Sequence, residues 1–219
     1  MCGRYALHAH PQVVALQFGL AAPPELKARY NIAPASQVLV VRAGESAAQA
    51  ALVRWGLVPR WARDPAIGAK LNNARAESVT EKPSFREAFR KRRCLIPASG
   101  FYEWKAEAGG KQPYYIHPAQ GELFALAGLW ESWRGPHGVL ETCAVITTAA
   151  NAAMRPIHDR MPVIVAPRDY ARWLDGAPGN DVRELLRPSD PGEIAVRRVS
   201  RAVSNARNES EKLIEPEPD

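Results

Sequence analysis

Cysteine is scarce in this 219-residue chain: there are three, at positions 2, 94 and 143, an odd number with no CxxC pair. That excludes a disulfide framework and a structural zinc cluster and points to a reducing compartment. No apolar run approaches the ~20 residues of a membrane span. Arg4, His8 and His10 interrupt the N-terminus where a signal peptide needs unbroken apolar residues. The expectation is a soluble, cytoplasmic protein. Internal repeats, low-complexity tracts and Gly/Ser linkers are also missing, which excludes repeat architectures and gives no place to divide the chain. The 19 prolines are dispersed, so they end elements and stiffen loops without marking a boundary.

The hydrophobic content is 46% and the charged content 24%, enough for one domain over residues 1–219 that buries about 70% of its unfolded surface. The formal net charge is +6, and the last eleven residues, Glu209 to Asp219, hold five acids against one lysine, which leaves +10 on the body. A basic body of that size suits a polyanion such as nucleic acid, with a solvated cationic surface as the alternative. By composition the acidic end frays, although Leu213 and Ile214 suggest that part of it packs and that 217–219 form the loose end.

Eight β-rich runs recur along the chain: Gln37 to Arg42, Ala51 to Val58, Cys94 to Trp104, Pro113 to His117, Leu123 to Trp130, Thr142 to Thr148, Pro162 to Val165 and Ile194 to Val199. They predict a curved, mainly antiparallel sheet or open barrel. Helical periodicity is confined to Pro11 to Phe18, Ser84 to Arg92, Arg168 to Leu174 and Asp181 to Leu186, placing the helices at the periphery. The class is α+β.

Cys2 is the most reactive candidate. Its bland reading is a small buried hydrophobe near a chain end. With Met1 removed it becomes a 1,2-aminothiol. An α-amine has a reference pKa of about 7.8 against about 10.4 for lysine, so roughly a third is free base near pH 7.5. Such an amine attacks an aldehyde, and the neighbouring sulfur closes the imine to a five-membered thiazolidine, a ring closure helped by high effective molarity.

Four polar segments stand out in apolar surroundings: Leu71 to Glu77, Ser99 to Trp104, Thr147 to Asn151 and Ile157 to Pro162. Singly, Glu103 reads as a strand carboxylate facing water and His158 as a loop histidine. The basic run Arg86, Arg90, Lys91, Arg92 and Arg93 reads equally as a solvated face or a DNA contact. His8 and His10 have no second ligand cluster with Cys2, so no metal site is expected.

Seven motifs follow one another: Met1 to Tyr5, Tyr30 to Pro34, Arg54 to Pro59 with Trp61, Asn73 to Glu77, Gly100 to Trp104, Ile157 to Pro162, and Val199-Ser200 through Asn205 and Asn208. In this order they resemble the SOS-response-associated peptidase family, from residue 2 to about residue 216. The resemblance implies a compact α+β fold with a basic groove for single-stranded DNA or a single-strand/double-strand junction. It implies that Cys2 traps the ring-opened aldehyde of an abasic site as a covalent thiazolidine crosslink, without a cofactor and as a monomer. Crosslink reversal, strand-cleaving lyase activity and self-catalysed loss of Met1 are further implied activities, a methionine aminopeptidase serving equally for the last.

By motif, Asn73 resembles the residue that holds the thiazolidine, Glu103 the general acid/base beside the amine, and His158 the group that protonates the sugar ring oxygen. Arg4, Arg75 and Arg160 match phosphate-binding arginines, an internal salt bridge from Arg75 to Glu77 being the bland alternative. Thr147 is expected to add a hydroxyl to a phosphate. Pro34, Trp55 and Trp61 are expected as apolar walls against unstacked bases, with core packing an equal reading for Trp55. Two other functions use the same residues: a thiol peptidase with Cys2 as nucleophile, and a non-covalent single-stranded DNA-binding module.

Overall fold

A computed structural model describes residues 2–136 and 138–217; the expected loss of Met1 and the last two residues of the expected loose end lie outside the described residues. Among the described residues, twelve strands and three short α-helices make up the fold. Strands β3 (Gln37–Arg42), β4 (Gln49–Trp55), β6 (Arg93–Ala98), β9 (Phe124–Gly135) and β10 (Gly138–Ala149) form a ring. β4, β3, β6 and β9 pair in that order, and β10 hydrogen-bonds both β9 and β4. The barrel expected to be open is thereby closed, its last joint being the parallel contact of Thr142 with Arg54. β5 (Asn73–Arg75) and β11 (Arg160–Pro162) attach to the far end of β10.

A second sheet of five strands has the order β12 (Ile194–Arg198), β8 (Gly110–Pro118), β7 (Gly100–Glu107), β1 (Tyr5–Leu7) and β2 (Arg29–Ile32). The run Cys94 to Trp104 reads as one strand in sequence but changes sheets at Ser99. There the backbone N–H donates to Ala6 O at 2.8 Å, and the hydroxyl accepts the backbone N–H groups of His8 and Ala9. The next residue must be small, because a Cβ on Gly100 would lie 2.4 Å from the Tyr115 ring. A continuous apolar run thus supplies one strand to each sheet and binds them together. The main core fills the barrel and the space between it and the second sheet, with Trp55, Leu95, Ile96 and Leu126 among its fully buried side chains.

Helix α1 (Pro11–Phe18) begins with proline in its first turn and stops at Gly19, whose φ of 63° is left-handed. α2 (Arg86–Lys91) and α3 (Tyr170–Leu174) fall within their expected ranges. The fourth expected helix, Asp181 to Leu186, is only a 3-10 turn over Arg183–Leu185. The Asp181 carboxylate takes the backbone N–H of Arg183, a local bond that competes with helix propagation.

The acidic end does not fray through residue 217. Leu213 is buried against Tyr102, Tyr115, Val199 and Val203. Pro216 bridges Val199, and the Glu217 N–H donates to Arg198 O at 3.0 Å. Burial of Leu213 and pairing along β12 outweigh the charge repulsion that composition alone would suggest.

Candidate active site

The N-terminal segment is a strand interior. Tyr5 pairs with Phe101 and Ala6 with Gly100, and the Tyr102 N–H donates to Arg4 O at 2.9 Å. The same antiparallel register continued toward the N-terminus sets Gly3 opposite Glu103, so β7 delivers its one buried carboxylate beside Cys2. From the other direction, β5 lies parallel to β10 with Asn73 paired to Val145, and the Asn73 Nδ2 donates to Cys2 O at 2.8 Å. Cys2 from the segment leading into β1, Asn73 from β5 and Glu103 from β7 thus converge. His158 completes the group from the turn before β11, its Nε2 3.9 Å from Glu103 Oε2.

Burial sets the electrostatics. The Cys2 side chain is fully enclosed, which raises its thiol pKa, and the Glu103 carboxylate raises it further. The thiol is therefore neutral and needs a base to become a nucleophile. Glu103 is 3% exposed, and burial lifts its carboxyl above the usual range while the His158 imidazole pulls it back. A carboxyl displaced upward exchanges protons more readily near neutral pH. His158 Nδ1 accepts the Arg160 backbone N–H at 2.9 Å, leaving the proton of the neutral ring on Nε2, the nitrogen facing Glu103. Asp159 Oδ1 also stands 2.9 Å from Nδ1.

The arginines differ. Arg4 Nη1 donates to Asn31 Oδ1 at 2.8 Å and Val203 O at 2.9 Å, while the guanidinium lies over Trp104. Arg75 is exposed. Arg160, not Arg75, forms the salt bridge to Glu77, donating from Nη1 at 2.6 Å and Nη2 at 2.9 Å. Trp61 is 58% exposed and Pro34 half-buried. Both have surface to offer.

Two expectations fail on burial. Trp55 is 1% exposed, packed edge-on against Tyr5 and donating Nε1 to Asn72 O, so it is core and presents no face to a base. Thr147 is 0% exposed, its hydroxyl turned to Arg160 Nη2 at 3.4 Å, so it offers no hydroxyl to an external phosphate. In the basic run, Arg92 and Arg93 are internal, bonded to Glu131 and to the carbonyls of Trp173 and Phe89 respectively. His8 stacks on Tyr30 and meets Tyr115 Oη at 3.3 Å. Among the described residues no group of three or more His, Cys, Asp or Glu could hold a metal, and no helix is long and apolar enough to cross a membrane.

Asn31 is a residue whose role sequence reasoning did not identify. It is 3% exposed, and besides accepting from Arg4 it donates Nδ2 to the carbonyls of Val203, Asn205 and Asn208. The available signal was an amide beside an apolar residue within the Tyr30 to Pro34 motif, but the carbonyls it bonds lie more than 170 residues away.

The chain is 41% identical to the abasic site processing protein YoqW of Bacillus subtilis, over 98% of this chain and 99% of the relative. It is 29% identical to the abasic site processing protein YedK of Escherichia coli, over 99% of this chain and 100% of the relative. A crystal structure of a protein from Bacteroides thetaiotaomicron superposes with a TM-score of 0.88 at 25% identity, covering 99% of this chain and 100% of that one. The family model described as SOS response associated peptidase (SRAP) matches residues 1–206, and the chain belongs to that family.

Proposed function

We propose that this protein processes abasic sites in DNA by trapping the ring-opened sugar aldehyde on Cys2 once Met1 is gone. The observation that carries this reading is the meeting of Asn73, Glu103 and His158 at a cysteine that chain processing would make N-terminal. His158, with its proton on Nε2, donates to the ring oxygen of the closed sugar and favours the aldehyde. The Cys2 amine adds to the aldehyde carbon, and proton transfer through Glu103 expels water to leave an iminium. Glu103 then accepts the thiol proton as sulfur bonds to the same carbon. The product is a thiazolidine, with one water lost overall, and the reverse sequence releases the lesion. Asn73 fixes the Cys2 carbonyl and with it the direction of the amine.

The favoured substrate is single-stranded DNA or a single-strand/double-strand junction, drawn to the basic body and bound by a monomer at the nucleoid. Lyase chemistry belongs to the same pathway, because the iminium at C1′ acidifies the C2′–H, and loss of that proton expels the 3′ phosphate from C3′. Trp61 and Pro34 wall the strand, and Arg4 and Arg75 meet its phosphates.

Met1-free protein incubated with an abasic single strand is expected to give a heat-stable adduct in a denaturing gel, with a mass equal to the two reactants less one water. Cys2→Ala should abolish it. A peptidase instead predicts cleavage of added peptides and inhibition by thiol alkylation regardless of the amine, while a plain binder predicts reversible, salt-sensitive binding that Cys2→Ser leaves intact. An adduct persisting in Cys2→Ala would overturn the proposal.

A further inference from the structure

Arg160 is carried by β11 beside the end of β10, and both of its Nη nitrogens are already engaged. Nη1 and Nη2 each donate to one oxygen of Glu77, and Nη2 also donates to Thr147 O at 2.7 Å. Nε is buried and has no hydrogen-bond partner among the described residues. The paired end of the fork, which would grip a phosphate through two parallel bonds, is therefore filled, and the edge through Nε is closed to solvent. The Glu77 side chain is 55% exposed and that of Arg160 14%, so the carboxylate sits outermost, above the guanidinium. A phosphate approaching from solvent meets Glu77 first.

We propose that Glu77 is a phosphate surrogate: it latches Arg160 in the free protein and is displaced when a backbone phosphate of an incoming strand takes the same two Nη donors. This rests on the reading above that the face accepts single-stranded DNA. The two anions are alike in what they offer, two oxygens at fork spacing, and the site cannot hold both on the same pair of N–H groups. Arg75, exposed and already attracting Glu77 electrostatically, is placed to receive the released carboxylate. The exchange makes binding at this point a difference between two ion pairs. A strand gains from Arg160 only to the extent that its phosphate outcompetes an internal carboxylate, which weakens casual binding of undamaged DNA.

The test uses Cys2→Ala protein, to remove crosslinking, and a fluorescent single-stranded oligonucleotide titrated by anisotropy at one fixed salt concentration. Adding Glu77→Gln is expected to tighten Kd about two- to fivefold, the range of a partly exposed ion pair. Glu77→Ala, which removes the carboxylate by a different change of shape, should move Kd the same way. Both gains should vanish when Arg160 is replaced by Lys or Ala. Unchanged or weaker binding in the Glu77 variants would overturn the latch and leave Glu77 as a residue that orients Arg160. An equal gain without Arg160 would overturn it too, as a general effect of charge. If the Cys2→Ala protein does not bind the oligonucleotide with or without these substitutions, the DNA-binding reading itself falls, and the latch with it.

Discussion

Glu103 shows how a residue proposed to serve the chemistry can be costly to the fold. Because its carboxyl is raised by burial, the folded state holds the proton more tightly than the unfolded chain does. Stability is therefore greatest below the ordinary glutamate range and falls as pH rises through the folded-state value. Glu103→Gln removes that loss. Thermal denaturation as a function of pH should show the variant melting above the parent near pH 7.5, by about 2–4 °C for each ~1 kcal/mol, with the gap narrowing toward pH 4. Crosslink formation by the same variant should slow at least tenfold. A variant that melts lower at neutral pH would refute the burial argument. The sequence made Glu103 visible only as part of a motif, since a carboxylate between aromatics in a strand points to water as readily as to a core. Its burial depends on β1 covering β7, a pairing of residues almost a hundred positions apart.

At the scale of elements, legibility followed length and locality. α1 and β3 have the expected bounds, because eight residues of helical periodicity and six of β-rich sequence are local signals. β1, β2 and β5 have three, four and three residues, too few for a period to show, yet two of them hold Asn73 and the strand that presents Cys2. Ring closure was equally illegible, since it rests on the parallel match of β10 with β4. Trp55, for which core packing was an equal reading, and Thr147, a polar-segment residue, both face inward, and only the pairing of β4, β5 and β10 shows it. Asn31 joins the N-terminal strands to residues 203–208 through buried bonds. Asn31→Ala leaves three carbonyls and the Arg4 guanidinium without that partner and should cost about 3 kcal/mol. Urea unfolding should register this as a lower midpoint at unchanged slope. A neutral effect would mean that the C-terminal segment is held by Leu213 and Pro216 alone.

For the whole molecule, charge is divided between a body at +10 and an acidic end at −4. That end is folded down on β12 through residue 217, with Glu217 near Arg198 and Glu209 bonded to the Tyr30 backbone. Part of the basic surface is thereby neutralised internally, and binding of DNA should be steered by the remainder. Anisotropy titrations of Cys2→Ala protein with a single-stranded oligonucleotide should show log affinity falling linearly with log salt, with a slope of about −2 for three phosphates engaged. A slope near zero would place the binding energy in stacking on Trp61 and remove the arginines from the account.

The tie from Arg4 through Asn31 to Val203 also has a consequence in time. During synthesis the first residues emerge long before residues 203–208 exist. At roughly 5–20 residues per second, some 10–40 s pass before the partners that lock the N-terminal strand can arrive. Through that interval the segment carrying Cys2 lacks its final support, so an enzyme acting on the nascent N-terminus would work on an unsecured strand. Cys2 is made some two hundred residues before the contacts that complete its setting.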